Sequence, residues 1–187
     1  SDLSEMSNSS VITNEDGWLK RGYNDDVSRC KFAVMNPELT YTLPAYQTAS
    51  GCVDILMHTM ERYFTKAENT MLTDSVAEGL MRTVIYNAKV LAEDPENYDA
   101  RAQVMWAGSL SHNGLTGCGT EGDWASHQLE HELGGMFDVA HGAGLAAVWG
   151  SWARYVYKEK PARFAQFAAN VFNIPWNSSN LEQMRSE

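Results

Sequence analysis

Apolar side chains recur at helical spacing through most of this 187-residue chain, from Pro44 to Ile174. The clearest run consists of Val53, Leu56, Met57, Met60 and Phe64. Residues three and four positions apart share one face of an α-helix, so such runs predict helices that bury this face in a core. Helices are predicted from residue 44 onward, at 73–91, 99–115 and 124–137, from the end of HGAG to 157, and from 161 to just before 174.

The first forty or so residues follow a different pattern. SVIT (Ser10–Thr13) and KFAVM (Lys31–Met35) are short apolar runs that predict strands, and the polar segment between them is rich in turn residues. This opening is too short for a domain and is interpreted as the edge of one. The last residues, NSSNLEQMRSE, predict a capped helix start that is cut short. We therefore expect a mainly α-helical fragment of a larger protein.

The charge balance argues against two classes of partner. The chain has 24 acidic and 14 basic residues, a net charge of −10, and no run of five basic residues. Nucleic acids and anionic membranes attract clustered Lys and Arg, so neither is expected as a partner. No apolar stretch approaches the roughly 20 residues of a membrane span, and the polar start predicts no signal peptide. Three separated cysteines fit reduced thiols, so a cytoplasmic protein is expected.

Asp54 and His58 form the first candidate metal-binding pair. They lie four residues apart in GCVDILMHTMERYF and share one face of a predicted helix that is otherwise apolar. A carboxylate there needs a partner, because burying it unpaired is costly. A metal ion is one partner, and a hydrogen bond between the two side chains in an ordinary core is the other. The pair alone favours the hydrogen bond. Glu61 on the same helix is interpreted as a solvated or ion-paired charge.

A second group of histidines lies in SHQLEHELGGMFDVAHGAG. His127 and His131 are spaced as HxxxH, a common metal-binding arrangement that also arises by chance and lacks the glutamate of HExxH. His141 opens HGAG, where glycines let the backbone pass close to another group, although a cap or turn histidine is the alternative. His112, alone in LSHNGL, is interpreted as structural or surface. The sequence thus offers one carboxylate and three imidazoles to a divalent ion: Asp54, His58, His127 and His141.

Four segments resemble the iron-containing, group III alcohol dehydrogenases. They are SEMSNSSVITNE, FAVMNPELTYTLPAYQTASGCVDILMHTMERYF, ENYDARAQVMWAGSLSHNGL and DWASHQLEHELGGMFDVAHGAGLA. The nearest branch is that of NAD(P)H-dependent butanol dehydrogenases and broad-range aldehyde reductases. The resemblance implies that residues 44–187 are the helical metal-binding domain of a dehydroquinate synthase-like fold, truncated at its C-terminal end. Residues 1–43 would be a strand-containing remnant of the α/β dinucleotide-binding domain.

The resemblance also implies roles for individual residues. The family's metal ligands, for Fe²⁺ or Zn²⁺, match Asp54, His58, His127 and His141. His131 matches a histidine near the nicotinamide and substrate, and is the expected catalytic residue. Contacts to NAD or NADP are expected at Ser4, Glu5, Thr42 and Leu43. Family members are about twice this length, so the glycine-rich pyrophosphate turn is missing here, and we expect this fragment to bind metal without being active.

The function implied by the resemblance is that of a metal-dependent alcohol dehydrogenase or aldehyde reductase. Hydride would pass between NAD(P)H and a small aliphatic aldehyde or alcohol of the butanol type, while the ion polarises the carbonyl oxygen. Relatives suggest a homodimer. Two alternatives remain at this point. One is a metal-dependent hydrolase or lyase, for which a base of the HExxH type is missing, and the other is a non-enzymatic metal-binding helical fragment.

Overall fold

The computed structural model describes residues 6–175, which form six α-helices and a β-hairpin. The helices are α1 (Ala45–Tyr63), α2 (Met71–Glu93), α3 (Tyr98–His112), α4 (Ala125–Phe137), α5 (His141–Val156) and α6 (Pro161–Phe172). All six correspond to predicted helices. α3 ends before the predicted residue 115, because Gly114 has a left-handed backbone (φ 92°) and leads into a short 3₁₀ helix. The predicted helix start in NSSNLEQMRSE lies outside the described residues.

α5 begins at His141 itself, and not after HGAG as predicted. The extended backbone of Ala140 ends the connection from α4, so HGAG forms the first turn of the helix. Gly142 lets this turn pass against α1, since a Cβ at that position would lie only 1.9 Å from the carbonyl oxygen of Ser50. The glycines of HGAG therefore serve close helix packing.

The hairpin consists of β1 (Ser9–Asn14) and β2 (Leu19–Asn24), which pair in antiparallel register. The strand predicted at Ser10–Thr13 is confirmed. The strand predicted at Lys31–Met35 is wrong, because this segment pairs with no other strand in the part of the chain that the structure describes. β2 instead occupies the polar segment that was expected to form turns. Strand formation depends on a pairing partner, which local composition does not specify.

α1 lies at the centre of the packing. One cluster of buried side chains joins it to α2, α5 and α6, and a second joins it to α2 and α3. Members such as Met57, Met81 and Leu145 each contribute about 1.5–3 kcal/mol relative to an exposed side chain. α1 is thereby held rigidly, together with Asp54 and His58. No helix among residues 6–175 is long and apolar enough to cross a bilayer.

A buried ion pair ties α6 to α2. The two terminal nitrogens of Arg163 donate to the carboxylate oxygens of Asp74 at 2.5 and 2.6 Å, and its Nε donates to the main-chain oxygen of Tyr63 at 2.7 Å. Burial alone would raise the pKa of Asp74, but the hydrogen bonds and charge of Arg163 outweigh it and lower the pKa below its ordinary value.

Arg163→Met should lower the free energy of unfolding by about 3–5 kcal/mol, because it leaves a buried carboxylate without its partner. In the unsubstituted chain the contribution of Asp74 is complete above the ordinary carboxyl pKa of about 3.9 and is lost as the pH falls through the lower folded-state pKa. Urea unfolding at neutral and acid pH measures both effects. Glu93→Gln, which changes an exposed carboxylate on α2, is the control, and a change no larger than the control's would contradict this role.

Candidate metal centre

Asp54 is buried in the middle of α1, with 5% of its surface exposed. Its Oδ1 atom accepts no hydrogen bond from the described residues. Three imidazole nitrogens surround it instead, namely Nδ1 of His58 at 3.0 Å, Nε2 of His141 at 3.5 Å and Nε2 of His127 at 3.8 Å. A buried carboxylate oxygen in this setting lacks a partner of positive charge.

The spacing of Asp54, His127 and His141 fits one ion, whereas His58 forms a separate group with Asp54 and His112. Nε2 of His127 lies 3.3 Å from Nδ1 of His58, and the ligand atoms of Asp54, His127 and His141 lie within 4.8 Å of one another. A tetrahedral ion about 2.0–2.1 Å from each ligand would place the ligand atoms about 3.3 Å apart. One carboxylate with three imidazoles suits Fe²⁺ or Zn²⁺, whereas Mg²⁺ and Ca²⁺ take oxygen ligands.

Two buried carboxylates orient two of the imidazoles. Glu61 of α1 contacts Nδ1 of His127 at 3.0 Å and accepts a hydrogen bond from the main-chain nitrogen of the same residue at 3.1 Å. Glu130 of α4 contacts Nδ1 of His141. In both rings Nδ1 is thereby occupied and Nε2 faces Asp54. Such carboxylate contacts fix the tautomer and orientation of metal-binding histidines.

His58 is held by main-chain and ring contacts. Its Nδ1 lies 3.0 Å from the main-chain oxygen of Asp54, which accepts a hydrogen bond only if Nδ1 carries the proton. This nitrogen cannot donate that bond and bind an ion at once, so the ligand role of His58 stays a prediction. His112, at the end of α3, stacks on it with ring centroids 3.7 Å apart, and burial lowers the pKa of His112 to about 3. Nδ1 of His112 lies 3.1 Å from the main-chain oxygen of Gly108. His112 therefore has the structural role that was expected. The sequence did not indicate that it would stack on His58, a candidate ligand.

His131 lies one turn after His127 on α4, outside the shell around Asp54. Its ring is partly buried, with its centroid 5.6 Å from that of His141. Burial, together with the charges of His141 and Lys20, lowers the pKa of His131. Its position next to the shell is compatible with the expected catalytic role, which stays a prediction.

The expected cofactor contacts are untested by this geometry. Thr42 and Leu43 lie in the turn before α1, where the main-chain nitrogen of Leu43 donates to the oxygen of Thr40 at 3.1 Å. Ser4 and Glu5 lie outside the described residues. All four cofactor contacts stay predictions.

Glu61 and Glu130 were not identified as site residues from the sequence. Glu61 was interpreted as a solvated or ion-paired charge. It is 3% exposed and pairs with His127, so the second alternative holds and the first does not. A signal existed, since Asp54, His58 and Glu61 follow the i, i+4, i+7 spacing of one helix face. For Glu130 the spacing gives no signal, because its contact with His141 depends on the packing of α5 against α4.

Electrostatics keep the Asp54 carboxylate ionised. Burial alone would raise its pKa, but the imidazoles of His127, His58 and His141 beside the carboxylate outweigh burial and hold the pKa well below its ordinary value. Burial would lower the pKa of His127, but Asp54 and Glu61 outweigh it and raise the pKa. The site therefore attracts positive charge, and a divalent ion would displace the protons held there.

Comparisons with known proteins identify the family of this chain. The family model described as the C-terminal part of the Fe-containing alcohol dehydrogenase family matches residues 48–187. The chain belongs to this family. NADH-dependent butanol dehydrogenase A of Clostridium acetobutylicum is 39% identical over 183 residues, which are 97% of this chain and 47% of that protein. The NADPH-dependent aldehyde reductase YqhD of Escherichia coli is 38% identical over 95% of this chain and 46% of its own length.

The fold is that of solved members of the iron-containing alcohol dehydrogenase family. The crystal structure of NADH-dependent butanol dehydrogenase A from Thermotoga maritima matches with a TM-score of 0.92 and 37% identity, over 96% of this chain and 45% of that one. The predicted family and the mainly helical fold are confirmed. The chain spans about half the length of these relatives. The division into a remnant at 1–43 and a helical domain at 44–187 stays a prediction.

Gly142→Ala should destabilise the protein and displace His141, because the added Cβ would lie 1.9 Å from the carbonyl oxygen of Ser50. Overpacking of this kind costs about 1–3 kcal/mol or more, which urea unfolding measures. Gly51→Ala is the matched control. Its Cβ on α1 would meet nothing within 4 Å, so it should stabilise by about 0.5–1 kcal/mol. Equal effects of the two substitutions would contradict the close approach of α5 to α1.

Proposed function

We propose that this chain is the metal-binding half of an NAD(P)H-dependent alcohol dehydrogenase or aldehyde reductase. The observation that supports it most directly is the buried Oδ1 of Asp54, which accepts no hydrogen bond and has three imidazole nitrogens 3.0–3.8 Å away. The names of the relatives, a butanol dehydrogenase and an aldehyde reductase, give the reaction class. The residues that would hold Fe²⁺ or Zn²⁺ are Asp54, His58, His127 and His141.

When bound, the ion supplies Lewis acidity toward a carbonyl oxygen, and the reduced nicotinamide supplies the hydride. Asp54 is the single anionic ligand, so the ion together with its four ligands carries a net positive charge. Glu61 and Glu130 hold the imidazoles in place, each through its contact with an Nδ1 atom. His131, beside His141, would hold or move a proton at a ring nitrogen next to the reacting oxygen.

The surroundings of the site favour a small apolar substrate. The Trp124 ring lies edge-on to His127 and His58, with centroid distances of 5.2 and 5.7 Å. An aromatic wall here would exclude water and contact an alkyl chain. We therefore propose short aliphatic aldehydes and alcohols as substrates.

The alternatives raised from the sequence, a hydrolase or lyase and a non-enzymatic fragment, are not favoured, because the relatives are named as dehydrogenases and reductases. The chain spans about half the length of those relatives. We therefore propose that this chain by itself binds the ion, and that turnover also needs the part of the protein that corresponds to the other half of the relatives. A homodimer, a cytoplasmic location and the absence of nucleic-acid and membrane partners stay predictions.

The metal centre is tested with the purified chain. After reconstitution with Zn²⁺, elemental analysis should find about one ion per chain. His127→Ala and His141→Ala should each remove most of the bound metal, because each deletes a ligand. His131→Ala is the matched control on α4 and should retain it. Unchanged metal content in His127→Ala would contradict the ligand assignment, and metal loss in His131→Ala would place that residue among the ligands.

Hydride transfer is tested by joining the chain to the amino-terminal part of the Clostridium acetobutylicum relative. The chimera should oxidise NADH in the presence of butyraldehyde, and Asp54→Ala should abolish this turnover because it removes the anionic ligand. The chain alone should be inactive. A folded chimera that binds metal and NADH yet reduces no short aldehyde would contradict the proposed reaction.

A further inference from the structure

The hairpin rests on α4 at two adjacent glycines. A Cβ at Gly134 would lie 2.7 Å from Nζ of Lys20, and a Cβ at Gly135 would lie 2.9 Å from the main-chain oxygen of Trp18. At Gly135 a larger residue would hold the hairpin away from the helix, because the close atom is main-chain, whereas at Gly134 it would displace the Lys20 side chain. The glycine pair therefore brings the Lys20 side chain of β2 over the buried part of α4.

Lys20 faces a carboxylate that has no access to solvent. Its Nζ lies 3.7 Å from Oε2 of Glu130, whose side chain is 0% exposed, whereas that of Lys20 is 19% exposed. Among the described residues, Lys20 is the one lysine or arginine that pairs with Glu130. A buried carboxylate without a partner of positive charge would be costly, so Lys20, together with the contact from His141, stabilises Glu130 in this position.

The same carboxylate oxygen contacts a candidate metal ligand. Oε2 of Glu130 lies against Nδ1 of His141, whose Nε2 faces Asp54. Gly144 leaves the room for this arrangement, since a Cβ there would lie 2.7 Å from Cγ of Glu130. Lys20, Glu130 and His141 thus form a continuous chain of contacts from the hairpin to the metal centre.

We propose that Lys20 is a positioning residue of the metal centre, acting on His141 through Glu130. The inference rests on the proposed metal-binding function. Without Lys20, the buried carboxylate would turn toward solvent. That change would leave the N–H of His141 at Nδ1 without its acceptor, and Nε2 would no longer be held toward the ion. The hairpin would then set the affinity of a site to which it contributes no ligand.

A purely structural role for Lys20 makes a different prediction. If the side chain only anchors the hairpin, its loss should lower the stability of the protein and leave metal affinity unchanged. Metal affinity is therefore the quantity that separates the two roles. Arg21 provides the matched control, because it is the next residue on β2 and its side chain is exposed.

The experiment measures Co²⁺ affinity of the 187-residue chain by competition with a chelator, together with the thermal midpoint of the metal-free protein. We expect Glu130→Gln to weaken binding about 10–100-fold, since loss of an outer-shell partner has effects of this size, and Lys20→Met to weaken it less, about 3–10-fold, because Lys20 lies one contact further from the ligand. Lys20→Arg should restore most of the affinity. Arg21→Met should stay within about twofold of the unsubstituted chain, the scatter expected of an uninvolved surface site.

The double variant Lys20→Met/Glu130→Gln tests the route of the effect. If Lys20 acts through Glu130, the double variant should bind Co²⁺ no more weakly than Glu130→Gln alone. Additive losses, an affinity of Lys20→Met equal to that of Arg21→Met, or tighter binding by Lys20→Met would each overturn the inference. Failure of the unsubstituted chain to bind Co²⁺ would instead contradict the metal centre itself, and the inference with it.

Discussion

The carboxylate of Asp54 is buried in α1, and its burial is tolerable only if positive charge faces it. The imidazoles around it come from α1, α4 and α5, so the carboxylate is satisfied only when these helices are packed together. Gly142 permits that packing by admitting the backbone of α1 at very short range. The site therefore forms only when the helices pack together. α1 takes part in both, because Asp54 and His58 lie on one face of it and its other faces form the core.

A shell of opposite charges surrounds the imidazoles. Glu61 and Glu130 are both buried, and each contacts the Nδ1 atom of a different candidate ligand. In the proposed centre, three carboxylates face one divalent ion and the ammonium group of Lys20, so the formal charges of these groups cancel. When opposite charges are paired in this way, several ionised groups can be buried together, whereas burying any one of them alone would cost too much desolvation energy. Through Lys20, the hairpin, which lies outside the helical core, also affects the metal affinity of the centre.

Helical spacing in the sequence was sufficient to predict the six helices and to place Asp54 and His58 on one face, because i, i+4 pairs share a face. That His127 and His141 would join them was implied by the resemblance to the family and not by spacing. Helical spacing failed where the determining contact is distant in sequence. β2 is polar and was expected to form turns, yet it is a strand because β1 pairs with it. His112, Glu130 and Lys20 approach the site only through the packing of other elements, and spacing along the chain carries no information about such contacts.

The central claim is that one ion is bound by Asp54 and three histidines. X-ray absorption at the zinc edge of the reconstituted chain tests it most directly, because the spectrum reports the number and type of ligand atoms. We predict nitrogen and oxygen ligands at about 2.0–2.1 Å, with the multiple-scattering pattern of three imidazoles. Sulfur ligands at about 2.3 Å, or the pattern of a hydrated ion with no imidazole, would contradict the account.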